Sequence, residues 1–287
     1  VRRLRLLLAM IRFEHTLFAL PFALMGMLLA ADGRPHGLPS AAQFGWILVA
    51  MVGARSSAMA FNRIADLRFD RANPRTAGWA LPSGAVSVGA AWAFCLLSAG
   101  VFIVAAAMLN RLTLALAPVA LAIIWGYSYT KRFTAWSHIA LGLALGVAPV
   151  GAWIAVRGSI GLPALILSAA VILWVAGFDI LYALQDVEFD RKVGLHSVPG
   201  RYGVRAALGL SSALHVAMVG MLVALRLLAP LGAIYLVGVG VTALFLVYEH
   251  RLVRPDDLRR LNAAFFTVNG VVSVGLLAFT AADLLLK

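Results

Sequence analysis

The sequence predicts an all-α, polytopic membrane protein with about nine transmembrane helices, forming a single domain over residues 1–287. Three observations carry this. First, 62% of the 287 residues are hydrophobic and only 13% are charged, which is too apolar for a soluble domain. Second, the apolar residues fall into nine segments, roughly 11–31, 44–65, 86–108, 112–130, 137–156, 162–185, 206–225, 229–248 and 261–285. Third, the basic residues between these segments alternate in density. With the N-terminus placed in the cytoplasm, eighteen Lys and Arg flank the cytoplasmic side and five the far side. That bias sets the orientation of a multi-pass protein. It places the chain in the cell (inner) membrane with its N-terminus inside.

Each segment fits this scheme. The first follows Arg2, Arg3, Arg5 and Arg12 and carries Pro21. Further spans come after it, so it reads as a span and not as a cleaved signal. The second contains Arg55 and ends in an acidic cluster. The third holds Cys95, the single cysteine, which excludes an intrachain disulfide and a cysteine metal cluster and reads as a small buried hydrophobe. The fourth, with Pro118, ends Tyr127-Ser-Tyr-Thr-Lys131-Arg132. The fifth carries Pro149 and Gly142, Gly146 and Gly151, small residues that let helices approach closely. The sixth ends in a second acidic cluster. The eighth ends Tyr248-Glu-His-Arg251. The acidic clusters of spans two and six, and the basic ends of spans four and eight, give a weak internal repeat of helices 1–4 and 5–8. The net charge of +12 is accounted for by orientation and by anionic headgroups, so nucleic acid is not an expected partner.

The two acidic clusters carry the chemistry. The first reads Asn62-Arg-Ile-Ala-Asp66-Leu-Arg-Phe-Asp70 and the second Tyr182-Ala-Leu-Gln-Asp186-Val-Glu-Phe-Asp190. Carboxylates four residues apart share a helix face. Arg55, Asn62, Asp66 and Asp70 form one polar stripe on the second span. Asp179, Tyr182, Asp186 and Asp190 form another on the sixth. Ionisable stripes in a membrane mark a functional cavity. Hard carboxylate oxygens suit Mg²⁺, which shares its remaining positions with water and substrate phosphates. Arg55, Arg75, Lys131, Arg132, Arg191 and Lys192 surround the same face with positive charge. The combination fits a metal-bridged diphosphate whose hydrocarbon tail lies among the apolar helices, in a central cavity open toward the cytoplasmic side. His15, His138, His196 and His250 are scattered and read as hydrogen-bonding residues. A cation-coupled transporter would place such groups in broken helices at mid-membrane. Here they sit at helix ends, which favours an enzyme open to one side.

At these residues the chain resembles the UbiA family of intramembrane prenyltransferases, across nearly its whole length. Asn62-x-x-x-Asp66-x-x-x-Asp70 with Asn73-Pro-Arg75-Thr76 and Leu81-Pro-Ser-Gly84 resembles the family's first aspartate motif. Tyr127 to Arg132 resembles its tyrosine-to-lysine-arginine segment. Asp179-x-x-Tyr182-x-x-x-Asp186-x-x-x-Asp190 with Lys192 resembles the second aspartate motif. In one departure, Trp79 stands where many members carry an arginine. The resemblance implies a UbiA-type helix bundle and Mg²⁺-dependent transfer of a polyprenyl group from a polyprenyl diphosphate. The implied acceptor is an aromatic acid, 4-hydroxybenzoate or 1,4-dihydroxy-6-naphthoate, in ubiquinone or menaquinone biosynthesis. The haem and chlorophyll branches of the family are the alternative. Asp66, Asp70, Asp186 and Asp190 would hold the metal and, with Asn62, form the catalytic set. Arg55, Arg75, Tyr127, Lys131, Arg132, Asp179, Tyr182 and Lys192 would bind substrate. Phe18, Trp125, Trp153 and Trp174 are candidates to limit tail length, or else core residues.

Overall fold

The computed structural model describes residues 16–33, 37–253, 261 and 264–286. His15 and the basic residues Arg2, Arg3, Arg5, Arg12, Arg34, Arg254, Arg259, Arg260 and Lys287 lie outside the described residues, as does the start of the first predicted span. Within the described residues the chain is helical. In chain order the helices are α1 (Thr16–Ala31), α2 (Ala41–Ala65), α3 (Leu67–Ala72), α4 (Val88–Leu109), α5 (Arg111–Thr130), α6 (Ser137–Arg157), α7 (Leu162–Tyr182), α8 (Val187–Val193), α9 (Val198–Tyr202), α10 (Val204–Leu228), α11 (Ala233–Leu252) and α12 (Asn269–Leu285). Eight of the helical stretches are long and apolar enough to cross a membrane, and Phe18–Ala31 is a shorter apolar helix. Among the described residues, these stretches coincide with the predicted segments.

The outer face of the bundle is apolar. Leu97, Val104, Met108, Val216, Leu227 and Leu244 are all more than half exposed, as suits a surface facing lipid rather than water. Helix α2 packs along α4, α6 along α7, and α7 along α10, while α1 lies against α6 and α12. Small residues allow the tightest of these contacts. A Cβ on Gly142 would stand 2.5 Å from the Ile172 carbonyl oxygen of α7, and one on Gly146 would meet Ile172 and Ser168. Gly26 of α1 touches the Pro149 backbone of α6 in the same way. Gly151 differs from its two neighbours: a Cβ there would meet no atom within 4 Å. It lines the central cavity instead.

Helix ends are fixed by local chemistry. Ser40 and Gln43 form a reciprocal capping box at the start of α2. Asn110 caps α5 through the Thr113 N–H and also donates to the Ile154 and Ala155 carbonyls at the end of α6. Gly194, at φ 76°, takes the left-handed conformation that ends α8. The core collects around Trp174, Phe22, Met25, Leu222 and Tyr235, on α1, α7, α10 and α11. Of the four aromatics considered for the tail pocket, only Phe18 lines the cavity. Trp174 is fully buried and donates to Asn269, Trp125 stacks on Phe61 and donates to Ser57, and Trp153 packs against the core. Cys95 is buried against Ser57.

Candidate active site

Both aspartate pairs sit astride a break in a helix. The sequence ends the apolar segments near 65 and 185 and reads each aspartate pair as one continued helix face. Instead α2 ends at Ala65, Asp66 adopts φ −90° and ψ 3°, and α3 starts at Leu67. The Asp70 N–H still donates to the Asp66 carbonyl at 2.8 Å, so the two carboxylates keep their shared face. On the other side α7 ends at Tyr182, residues Ala183–Asp186 tighten into a 3₁₀ turn, and α8 follows. The breaks leave Asp70 and Asp190 on the short helices α3 and α8.

The loop after α3 then folds across to the second cluster. Asn73 precedes Pro74, which holds it extended (ψ 118°). Its Oδ1 accepts the Arg75 N–H at 2.9 Å and its Nδ2 donates to Asp186 Oδ1 at 3.1 Å. Arg75 donates to Asp186 twice, from Nε at 3.1 Å and from NH2 at 2.6 Å, a fork that lysine cannot reproduce. The first motif thus supplies the hydrogen bonds of the second. On the first cluster, Lys131 Nζ lies 2.9 Å from Asp66 Oδ2. Asn62 donates to the same oxygen at 3.2 Å and to Ser128 at 3.3 Å. Arg132 donates to the Ala65 carbonyl at 2.6 Å. The His196 N–H donates to the Lys131 carbonyl at 2.7 Å, tying the loop after α8 to the end of α5. Lys131 also feels the charge of Asp190, and Ser197 lies close to the same carboxylate.

Electrostatics follow from burial and pairing. Burial pushes the Asp70 carboxyl above the usual carboxylate range, partly offset by Arg63. Burial alone would lower Lys131 and Arg75, but Asp66 and Asp186 respectively outweigh it and raise both. The site therefore keeps its cations charged.

A carboxylate site of this kind calls for a cation test. Among the described residues, no three His, Cys, Asp or Glu side chains stand close enough together to hold one metal ion. Asp66 Oδ1 and Asp70 Oδ2 nevertheless are buried and accept no hydrogen bond among the described residues. Their nearest cations, Arg132 at 3.9 Å and Arg63 at 3.7 Å, are beyond hydrogen-bonding range. Two buried hard oxygens one helical turn apart fit a magnesium ion, with substrate oxygens completing its shell.

Below the clusters lies a cavity of about 470 Å³. Its lining is mostly aliphatic, from α1, α2, α4, α5, α6 and α7. Arg55 and Tyr127 are polar exceptions. Arg55 is two helical turns before Asn62 and Tyr127 one turn before Lys131, so both mark the end of the cavity nearest the carboxylates. Asp179 and Tyr182 continue the α7 stripe toward Asp186. The Tyr182 hydroxyl accepts from Arg75 at 3.5 Å. Lys192 stands exposed on α8 and makes no contact with the network among the described residues.

Three residues of the network fall outside the site set read from the sequence. Arg63, counted only as flanking charge, is buried, pairs with Asp70 and stacks 4.0 Å above Trp79. Its seven-residue spacing from Asp70 was the available signal. Trp79 lies under Arg63 and within 5.5 Å of Arg75, so the residue at the family's arginine position serves the site as a ring beneath two guanidinium groups. His138 bonds Asp179 at 2.7 Å; nothing in its local sequence marked it.

Comparison with known proteins agrees with this geometry. Residues 19–271 match the UbiA prenyltransferase family. A 4-hydroxybenzoate octaprenyltransferase of Nitrosospira multiformis is 34% identical over 254 residues, covering 86% of this chain and 84% of that protein. Another from Paraburkholderia phytofirmans is 30% identical and covers 98% of both chains. The apo structure of a UbiA homologue from Aeropyrum pernix K1 superimposes with a TM-score of 0.84 at 37% identity, over 95% of this chain and 98% of that one. A homologue from Archaeoglobus fulgidus bound to DMAPP and Mg²⁺ shares the fold, with a TM-score of 0.73 at 21% identity over 97% of this chain and 98% of that one. An integral multi-pass membrane protein with paired aspartate junctions above an apolar cavity, this chain belongs to the UbiA prenyltransferase family.

Proposed function

We propose that the protein transfers a polyprenyl group from a polyprenyl diphosphate to an aromatic carboxylic acid, with Mg²⁺ as cofactor, in quinone biosynthesis. One observation carries this reading. Carboxylates and their paired cations stand at the helix ends one to two turns beyond Tyr127 and Arg55, and among the described residues Arg55 is the arginine that lines the apolar cavity. The carboxylate end suits a metal-bridged diphosphate and the cavity a hydrocarbon. Arg55 is the natural partner of an acceptor carboxylate. The curated relatives favour 4-hydroxybenzoate; 1,4-dihydroxy-6-naphthoate offers the same carboxylate on two rings.

Asp66, Asp70, Asp186 and Asp190 would hold the metal, which when bound neutralises charge developing on the leaving diphosphate. Lys131, Arg132 and Arg75 add charge-assisted hydrogen bonds to the same leaving group. The allylic C–O bond breaks and diphosphate leaves with the bonding pair, the apolar walls keep water from the allylic cation, the ring carbon of the acceptor attacks it, and that carbon then gives up its proton to the departing diphosphate or to water. Asp179 and Tyr182, next along α7, face the acceptor. We place the carboxylate clusters on the cytoplasmic side of the cell membrane, with the N-terminus inside.

The test is a competition assay in proteoliposomes. Labelled long-chain polyprenyl diphosphate is supplied with equal amounts of the two acids, with and without EDTA. Metal-dependent prenylation of one acid is the expected result, and the acid consumed names the quinone. Asp66→Asn should lose about a hundredfold or more of the turnover, with the helix bundle intact by circular dichroism. Activity that survives EDTA, or an Asp66→Asn variant of near-normal rate, overturns the metal assignment.

A further inference from the structure

His138, at the start of α6, makes two hydrogen bonds that together fix its chemical state. The backbone N–H of Val198 donates to its Nε2 at 3.3 Å. Nε2 therefore carries no proton, and the ring proton of the neutral imidazole resides on Nδ1. Nδ1 lies 2.7 Å from Asp179 Oδ2, so it donates and the carboxylate accepts. The imidazole is nearly sealed from solvent, while the Asp179 side chain remains 24% exposed. One carboxylate oxygen is pinned against the bundle, and Oδ1, for which the described residues supply no hydrogen bond, stays open.

The second bond has a further consequence. Val198 opens α9, and the preceding Ser197 caps that helix and lies close to Asp190. One buried ring thus couples the Asp179 carboxylate on α7 to the loop that supports the second aspartate pair.

We infer that His138 is a positioning residue: it holds Asp179 as an oriented hydrogen-bond acceptor and aims its open oxygen at the aromatic acceptor. The inference rests on the proposal above that Asp179 faces the acceptor. It differs from that proposal in naming what keeps the carboxylate in place. A ring donor at 2.7 Å removes the rotational freedom of the carboxylate before the acceptor arrives.

The test compares His138→Ala, His138→Gln and Asp179→Asn with the wild type in proteoliposomes. KM and kcat are measured separately for the aromatic acid and the prenyl diphosphate, and prenyl diphosphate binding is measured directly. Loss of the alignment in His138→Ala should reduce kcat/KM for the acid by roughly tenfold to a hundredfold, with prenyl diphosphate binding unchanged. Glutamine carries a donor and an acceptor on one amide, so His138→Gln should recover most of the loss. Asp179→Asn should show the same selectivity as His138→Ala. If His138→Ala keeps the wild-type kcat/KM for the acid while Asp179→Asn does not, the inference is overturned and the role of Asp179 stands. Failure of glutamine to recover activity, or equal loss of prenyl diphosphate binding, also overturns it, because the ring is then only structural. A wild type inactive toward both acids overturns the acceptor assignment and this inference with it.

Discussion

At the scale of single residues, three of the site's four aspartates face a cation from another part of the chain. Lys131 answers Asp66, Arg75 answers Asp186, and Arg63 approaches Asp70. Trp79 is the shared platform, with its ring 4.0 Å beneath Arg63 and 5.5 Å from Arg75. It holds one guanidinium beside each aspartate pair. A cation–π contact is worth about 0.5–2 kcal/mol, depending on how far it is desolvated. Trp79→Ala should therefore raise KM for the prenyl diphosphate by about fivefold, the equivalent of roughly 1 kcal/mol, and leave KM for the aromatic acid unchanged. Trp79→Phe should fall between. Steady-state kinetics with each substrate varied in turn checks this, and an unchanged KM would reduce Trp79 to packing. Most of the network was legible in the sequence, because carboxylates four apart and a lysine-arginine pair are local patterns. Arg63 and His138 were not legible as site residues, since their roles depend on side chains from other helices. For His138 the partners lie 41 and 60 residues away.

At the scale of elements, the apolar segments corresponded to helices because hydropathy over about 20 residues reports a membrane span directly. The breaks at Asp66 and at Ala183–Asp186 did not show. A spacing of four is the same in a continuous helix and across a junction that preserves the i to i+4 hydrogen bond. The small residues of α6 were likewise alike in sequence and different in structure. Gly142 bears on the Ile172 backbone, whereas Gly151 opens onto the cavity. Overpacking a tight contact costs about 1–3 kcal/mol. Gly142→Ala should thus lower the thermal unfolding temperature in detergent. Gly151→Ala should leave that temperature unchanged and instead narrow the space for the tail, shifting preference toward shorter prenyl diphosphates. Equal destabilisation by both would mean that α6 packs uniformly, contrary to the geometry.

At the scale of the whole molecule, two polar systems stand on different parts of the bundle. One is the site between α2, α5 and α7. The other, between α7, α10, α11 and α12, links Trp174, Asn269 and Glu249, with His215 bonded to His250 and to the Trp174 carbonyl. Buried groups so matched hold helices in register, and they free the other side of the bundle to keep a cavity open. The orientation proposed from the basic residues is testable because Cys95, the single cysteine, is buried and gives little background. Lys192 on α8 and Arg111 at the start of α5 are both exposed and lie at opposite ends of the spans. In intact cells, Lys192→Cys should resist a membrane-impermeant maleimide until the cells are lysed, whereas Arg111→Cys should react at once. The reverse pattern would place the carboxylates outside the cell, away from the compartment that the charge bias assigns them. It would require the diphosphate to arrive from that side.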